Sequence, residues 1–322
     1  MGRNDSNSGG YVSLASHGNR TRQEVALYTS WGILRGRTVR DLSFGLLVAL
    51  TLGAFWAPLR TLIQFSFQQE HYSHIILVPL ISTSLLFLER RAVFSHGETR
   101  WVAGLSVLFA GGLLYWLEQR HFASASENDR LSIAIFAVVV VWVGGFVLCY
   151  GVQALHKGLF PVLLLLLMVP IPDFFLSRAI LWLQIGSAEV SYAVFELVGV
   201  PVFRTGLIFS LPGVTIEVAK ECSGIRSSVA LLIIGLLAGH LLLRSAWTKA
   251  LLILAALPLL IVKNGIRIVT LSLLSIYVDP GFLAGSLHHK GGIAFFLLAL
   301  ALLAPVLWLL QRSERSKPTN AV

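Results

Sequence analysis

Cys222 stands where a thiol is expected to be reactive. The segment Lys220-Glu221-Cys222-Ser223-Gly224 leads into an apolar run that we predict to be helical. A helix N-terminus stabilises a thiolate, and Arg226 adds positive charge one turn later on the same side. Ser223 and Ser227 are each placed to cap that helix. Cysteines in general are more often small buried apolar residues, but this setting favours a nucleophile.

A second polar group interrupts an otherwise apolar helix. Asn264 and Arg267 are three residues apart and therefore share a helical face. An arginine in a membrane span is costly unless it is paired, faces a polar cavity or snorkels, and snorkelling fits the adjacent Lys263 better. If the helix enters the membrane near Thr248, Arg267 lies about 28 Å along the helix axis. This places it near the outer membrane surface, at the predicted depth of Cys222. Its guanidinium suits an oxyanion, or a substrate carbonyl or carboxylate.

Two adjacent histidines, His288 and His289, precede the last apolar run, which begins near Gly292. Imidazoles accept and donate protons near neutral pH. Position alone favours a solvated polar loop. They are candidates for proton transfer because they are predicted to lie at the same outer face of the membrane as the cysteine and the arginine.

The composition indicates a polytopic membrane protein. Of 322 residues, 56% are hydrophobic and 13% are charged, and the mean hydropathy is +0.77. A soluble domain carries about 25% charged residues, and a disordered chain combines low hydrophobicity with high charge, so both classes are excluded. Two cysteines are too few for a disulfide framework. Cys149, between Leu148 and Tyr150, is interpreted as structural.

Eight apolar segments are long enough to cross a membrane. We predict spans near 43–63, 72–88, 101–117, 131–150, 159–177, 224–243, 248–276 and 291–311. The stretch 178–199 is apolar but carries charged residues, which predicts an interfacial or re-entrant helix packed on the bundle. Residues 200–218 contain two β-prone pieces around Pro-Gly, which predict a small extracytoplasmic β-hairpin. The fold class is therefore an all-α polytopic membrane protein with about eight transmembrane helices.

Basic residues give the predicted orientation. Most of the 25 lysines and arginines fall in segments on one side of the membrane, namely 1–42, 89–100, 151–158, 244–249 and 312–322. The chain is divided into a polar cytoplasmic tail (1–42), a transmembrane domain (43–311) and a basic cytoplasmic C-terminus (312–322). The net charge of +9 reflects this topology and contact with membrane lipids, so no nucleic acid partner is expected.

Three motifs resemble the signature of the exosortase/archaeosortase family. They are Cys222-Ser223-Gly224-Ile225-Arg226, Asn264-Gly265-Ile266-Arg267, and His288 four residues before Gly292. Other runs add to the resemblance: Tyr72-Ser73-His74 with Leu77-Val78-Pro79, Met168-Val169-Pro170-Ile171-Pro172, and Gly199-Val200-Pro201-Val202. The resemblance covers residues 43–311, and the histidine at 288 resembles the bacterial exosortase branch.

The resemblance implies a cysteine transpeptidase of the cytoplasmic (inner) membrane, with its active site on the outer, periplasmic face. Its partners would be exported proteins with a C-terminal sorting signal, made of a short motif such as Pro-Glu-Pro, a membrane helix and a basic tail. The new C-terminus would pass to a lipid or polysaccharide acceptor. No cofactor is implied. No metal is expected either, because the acidic residues after Leu131 do not cluster as an oxygen-ligand site.

The resemblance also assigns roles to residues. Cys222 matches the family nucleophile, Arg267 the family arginine and His288 the family histidine. The spacing to Gly292 favours His288 over His289. The residues expected to support them are Arg226, Asn264, Ser223 and His289.

Two other function classes stay open, a polytopic transporter and a non-catalytic membrane scaffold. Intramembrane charges often mark transport paths, but the chain has no internal repeat and its candidate residues lie at the outer level, not at the midplane. Labelling of Cys222 from outside with a membrane-impermeant reagent would favour the enzyme over the transporter. A scaffold predicts that Cys222→Ala changes nothing. A lipid-linked glycosyltransferase is less favoured, because such enzymes usually need acidic metal ligands.

Overall fold

The computed structural model describes residues 38–69, 72–95, 101–219, 224–279, 281 and 292–316. Its helices are, in chain order, α1 (Thr38–Ala54), α2 (Trp56–Gln68), α3 (Leu77–Leu88), α4 (Arg90–Val93), α5 (Trp101–His121), α6 (Glu127–Tyr150), α7 (Val152–Lys157), α8 (Leu159–Leu164, extended by a 3₁₀ turn, Leu165–Met168), α9 (Asp173–Val198), α10 (Ile225–Leu242), α11 (Ala246–Tyr277) and α12 (Gly292–Ser316). The strands β1 (Phe203–Thr205), β2 (Ile208–Leu211) and β3 (Val214–Glu217) lie between α9 and α10.

The first predicted span, 43–63, is a bent pair of helices. The axes of α1 and α2 meet at 78°, with Phe55 between them. In the turn before the bend, Thr51 Oγ1 donates to Leu47 O (2.7 Å), a bond that often bends a helix. Pro58 follows in the first turn of α2, where its missing N–H costs no helical hydrogen bond.

Glycines bring α5 and α6 together at close range. A Cβ on Gly104 would lie 2.6 Å from the Cα of Leu148, and a Cβ on Gly144 would lie 2.7 Å from the backbone nitrogen of Leu108. Small residues at helix contacts are the usual means of close packing inside membranes. The two helices therefore form one tightly packed antiparallel hairpin.

Prolines turn the chain between α8 and α9. The helical stretch Leu159–Met168 and α9 meet at 90°. Pro170 and Pro172 lie in the break, where a proline cannot donate a helical hydrogen bond and pushes the preceding residue into extended conformation. The predicted boundary between 159–177 and 178–199 is therefore corrected, since α9 begins at Asp173. The geometry is that of a broken span or a re-entrant loop, so the interfacial or re-entrant helix at 178–199 stays a prediction.

A polar network holds this break against the start of α6. Asn128 Nδ2 donates to Ile171 O (2.8 Å) and to Asp173 Oδ1 (2.8 Å). Tyr72 OH, between α2 and α3, donates to Asn128 Oδ1 (2.8 Å). One amide side chain thus joins three segments that are distant in sequence.

The stretch 200–218 forms a three-stranded antiparallel sheet in the order β1-β2-β3. Phe209 of β2 stands opposite Arg204 of β1 and Ile216 of β3. The Pro-Gly turn expected from the sequence joins β2 to β3, and β1 is an additional strand before it. The predicted two-stranded hairpin is therefore extended to three strands.

The sheet packs on the end of α9 and on α11. Phe209 is fully buried, and its ring centroid lies 5.8 Å from that of Phe195 on α9. Arg204 donates to Glu189 Oε1 of α9 at 2.9 Å. Ile268 of α11 belongs to the same buried cluster. The sheet therefore lies beside the C-terminal part of α11, near Ile268.

The last three helices form a second core. Glu314 of α12 connects this core to the start of α11. Its carboxylate accepts hydrogen bonds from the backbone N–H groups of Arg244 (2.9 Å) and Ser245 (2.8 Å), and from Thr248 Oγ1 (2.5 Å). A carboxylate is favoured at a helix N-terminus because the free N–H groups and the helix dipole attract it. α12 is thereby joined to the turn between α10 and α11.

The membrane-spanning character of the chain is confirmed. Five of the described helices are long and apolar enough to cross a membrane, or seven if each bent pair counts as one span. Eight spans were expected. The difference is α3, whose 12 residues fall short of the roughly 20 that a span needs.

Candidate active site

The predicted site residues divide into two sets. Those outside the described residues are Cys222, Ser223, His288 and His289. Those within them are Arg226 in the first turn of α10, and Asn264 and Arg267 on α11. Of the described groups, Asn264 contacts the residue that begins α10.

The start of α10 is held by hydroxyl groups that bond to a carbonyl. Gly224 is its N-cap, with φ 72°, a left-handed conformation that favours glycine. Ser227 Oγ and Ser228 Oγ each donate to Gly224 O (2.9 Å). Ser227 Oγ is therefore bonded to a carbonyl at the start of α10, whereas it was expected to cap the free N–H groups there, and the N-cap residue Gly224 makes no side-chain cap hydrogen bond. These N–H groups keep the partial positive charge of the helix end.

Gly224 lies directly against α11. A Cβ at this position would lie 3.1 Å from Asn264 Oδ1 and 3.2 Å from Lys263 Nζ. The glycine of the first motif and the asparagine of the second are therefore in contact. A larger residue would meet both polar groups and would also be strained at positive φ.

Lys263 is buried, so the expectation that it snorkels is wrong. Only 1% of the residue is exposed, and its Nζ donates to Ser227 Oγ at 2.5 Å. The side chain points toward α10, where its Nζ also lies against Gly224. Hydropathy predicts where along the helix this lysine lies, but it does not predict which neighbouring helix its side chain contacts.

Residues of α9 hold the second motif in place. Asn264 is 1% exposed, and its Nδ2 donates to Ser187 Oγ (2.9 Å). A Cβ on Gly265 would lie 2.6 Å from Val190 Cγ1, so the two helices approach as closely as a glycine allows. Ser187 was not predicted from the sequence. The sequence feature that could have indicated it is the run of small residues around Ser187 in an otherwise apolar helix, which is typical of a close helix contact.

Gln184, also on α9, holds the chain on the other side of the cysteine segment. It is buried, and its Nε2 donates to Val218 O at 2.6 Å. Val218 follows β3, and Gly224 begins the next described stretch. Both ends of the segment that contains Cys222 are therefore fixed, one by α9 and the other by α11.

The described surroundings are cationic. Arg267 is half-buried one turn beyond Asn264, Arg226 is exposed in the first turn of α10, and Lys263 is buried against Gly224. Together with the N-terminus of α10, these positive charges favour an anion in this region. Thiolates and the oxyanions of acyl transfer are anions of this kind.

Comparison with known families gives one match. A family model described as transmembrane exosortase (Exosortase_EpsH) matches residues 65–305, which include every predicted site residue. No curated protein and no solved structure matches the chain.

Proposed function

The chain belongs to the transmembrane exosortase family, and on that premise we propose that it is a membrane-embedded cysteine transpeptidase. It cleaves the C-terminal sorting signals of exported proteins and transfers the new C-terminus to a surface acceptor. The observation that carries this proposal is the contact of Gly224 with Lys263 and Asn264. It joins the segment of the nucleophile to the helix of the arginine.

Covalent geometry brings the thiol into the same region. Consecutive Cα atoms are 3.8 Å apart, so the Cα of Cys222 lies within about 7.6 Å of that of Gly224. The N-terminus of α10 and the cations on α10 and α11 lower the free energy of a thiolate relative to a thiol. This supports Cys222 as the nucleophile.

The reaction proceeds through a thioacyl intermediate. The Cys222 thiolate attacks the scissile carbonyl carbon, and Arg267, helped by Arg226, stabilises the resulting oxyanion. The C–N bond then breaks, and His288 protonates the leaving amine. In the second half, His288 takes a proton from the acceptor nucleophile, which attacks the thioester and releases the thiolate.

The membrane contributes by confining the substrate. A sorting signal that contains its own membrane helix lies against the helices of this protein, so the encounter takes place in the plane of the bilayer and is effectively intramolecular. The basic segments at the predicted inner ends support cytoplasmic termini. Two cytoplasmic termini require an even number of crossings, so this topology requires α3, together with the residues before it, to complete an eighth crossing beyond the seven long or bent spans. The proposed active site then faces the outer side of the cytoplasmic membrane.

The decisive experiment replaces the nucleophile. Cys222→Ala should reduce processing of a reporter with a short motif, an apolar helix and a basic tail by about a thousandfold or more. The matched control is Cys149→Ala, since Cys149 is a buried free cysteine on α6 and its loss should leave processing intact. Normal processing by Cys222→Ala, with the protein inserted at parental levels, would contradict the proposal and favour a scaffold.

A further inference from the structure

The strand β3 forms a free edge of the small sheet. In the order β1-β2-β3, β2 is paired on both sides, whereas β3 pairs with β2 alone among the described residues. The four residues of β3, Val214–Glu217, are therefore hydrogen-bonded along one side. The other side of an edge strand presents N–H and C=O groups to which a second extended chain can bond.

The register identifies the groups that face this edge. Val218 N donates to Leu207 O at 2.9 Å, and these two residues continue the register in which Ile208 stands opposite Glu217. In an antiparallel ladder, hydrogen-bonded pairs alternate with pairs that are not hydrogen-bonded. Thr215 and Glu217 therefore turn their N–H and C=O groups away from β2, toward the free edge.

The edge is accessible. Thr215 and Glu217 are exposed, whereas Ile216 between them packs against the buried cluster that contains Phe209. The carbonyl of Glu217 accepts a hydrogen bond from the N–H of Ala219 (2.9 Å). For the N–H and C=O of Thr215, the described stretches contain no hydrogen-bond partner. Thr215 thus offers both a donor and an acceptor to an extended chain, and Glu217 adds a second donor.

The edge lies close to the second motif. Gln184 Nε2 donates to Val218 O (2.6 Å), and Ser187 Oγ accepts from Asn264 Nδ2 (2.9 Å). Gln184 and Ser187 are three residues apart on α9, and side chains with this spacing are neighbours, with Cβ atoms about 5–6 Å apart. The residue that follows β3 and the asparagine of α11 are therefore held at adjacent positions of one helix face. A chain paired with β3 would lie near the face of α11 that carries Asn264.

We propose that the free edge of β3 binds the peptide substrate, which adds to the sheet as a further strand through the backbone groups of Thr215 and Glu217. This inference rests on the proposed function in taking a peptide as the substrate. The bound residues are the extended ones that precede the membrane helix of the sorting signal. Because an edge strand bonds to the backbone of its partner, β3 contributes affinity and orientation.

The size of the edge favours a short peptide over a second copy of this chain. Four residues extend about 13 Å, and only two of them face outward. A stable protein–protein interface buries about 1,200–2,000 Å², which is much more than this edge supplies. A short peptide needs less contact, because its own membrane helix already confines it to the same bilayer.

The test removes the N–H group that faces the edge. Proline lacks this group and is tolerated on an edge strand where its nitrogen faces outward. In a Cys222→Ala background, which lacks the proposed nucleophile, we expect Thr215→Pro to weaken binding of a fluorescent sorting-signal peptide by about tenfold or more, measured by anisotropy. Thr215→Val, which keeps the N–H group, should bind the peptide within about threefold of the parent.

The control is Ala246→Pro, at the first position of α11, where a proline is also tolerated. It should leave the affinity unchanged, because this position lies about 27 Å along α11 from Asn264. Equal affinity of Thr215→Pro and the parent would overturn the proposal. An equal loss in Thr215→Val would also overturn it, because binding would then depend on the hydroxyl group and not on the backbone.

A second measurement covers the case in which Thr215→Pro does not fold. The peptide carbonyls before the membrane helix are labelled with carbon-13, and infrared spectra are recorded with the Cys222→Ala chain. On binding, the labelled amide I band should move to the position of β-sheet carbonyls. An unchanged band, or no binding of the peptide, would overturn the proposal. So would loss of a dimer in Thr215→Pro with unchanged peptide affinity, since the edge would then pair two copies of the chain.

The two proposals can fail separately. If Cys222→Ala still processed the reporter while Thr215→Pro weakened peptide binding, the proposed transpeptidase would fail and the peptide-binding edge would stand. If processing required Cys222 and Thr215→Pro left the affinity unchanged, only the role of β3 would fail.

Discussion

His240 Nε2 donates a hydrogen bond of 2.6 Å to Glu89 Oε1, joining the last turn of α10 to the end of α3. The ring of Phe160, from α8, stacks on the imidazole with centroids 3.9 Å apart and planes 6° apart. Both members of the hydrogen bond are partly buried. Helices from the first and second halves of the chain therefore meet at one polar contact, at the end of α10 opposite Gly224.

Removing this contact should destabilise the protein without touching its chemistry. We expect Glu89→Gln to lower the free energy of unfolding by about 1 kcal/mol, and His240→Ala by about 1–3 kcal/mol, because the alanine also loses the ring stacking. Thermal unfolding of the detergent-solubilised chain measures both changes. Glu217→Gln, an exposed carboxylate on β3, is the control and should change stability by less than about 0.5 kcal/mol. Equal values for Glu89→Gln and the control would mean that the contact contributes nothing to stability.

Arg267→Lys should inactivate the enzyme although it preserves the charge. A lysine ammonium is a point charge that cannot reproduce the planar donor fork of a guanidinium. We expect processing of the sorting-signal reporter to fall by about a hundredfold or more. The same exchange at Arg178, exposed on α9, should have no effect. Normal processing by Arg267→Lys would show that this residue acts only as a charge.

The two adjacent histidines should differ in their effects. His288→Ala should reduce the rate of processing by about a hundredfold to ten-thousandfold, as expected for loss of a general acid–base group. His289→Ala should retain most of the rate. Single-turnover assays on the two variants, at matched expression, measure this order directly. The reverse order would move the catalytic role to His289.

Sequence reasoning located the long helices well where apolarity and end signals coincide. The prediction for α11, 248–276, differs from the observed Ala246–Tyr277 by two residues or fewer at each end. It failed between α8 and α9, because a hydropathy sum passes through Pro170 and Pro172 without registering that neither residue can continue a helix. The strand β1 was missed because its turn to β2 lacks the Pro-Gly signal that marked the next turn.

The helical face shared by Asn264 and Arg267 could be predicted from the sequence, but the contacts of that face could not. Asn264 and Arg267 share a face of α11 because helical spacing requires it. The partners of that face could not be read from spacing: Ser187 and Ser227 come from two other helices, and their positions depend on how α9 and α10 pack. The burial of Lys263 could not be predicted from spacing either, because the burial of a side chain depends on tertiary packing.

The length of α11 bears on the fate of the proposed intermediate. Its 32 residues span about 48 Å, whereas the hydrocarbon layer is about 30 Å thick, and the β-sheet packs beside the end that follows Ile268. Part of a helix of this length would project past the acyl chains, and a sheet beside the projecting end would lie among the lipid headgroups. A thioester formed next to such a sheet would be exposed to water. Transfer to the acceptor and hydrolysis by water would then compete for the same thioacyl intermediate. The local concentration of the acceptor, more than the shape of the enzyme, would set the ratio of the two products.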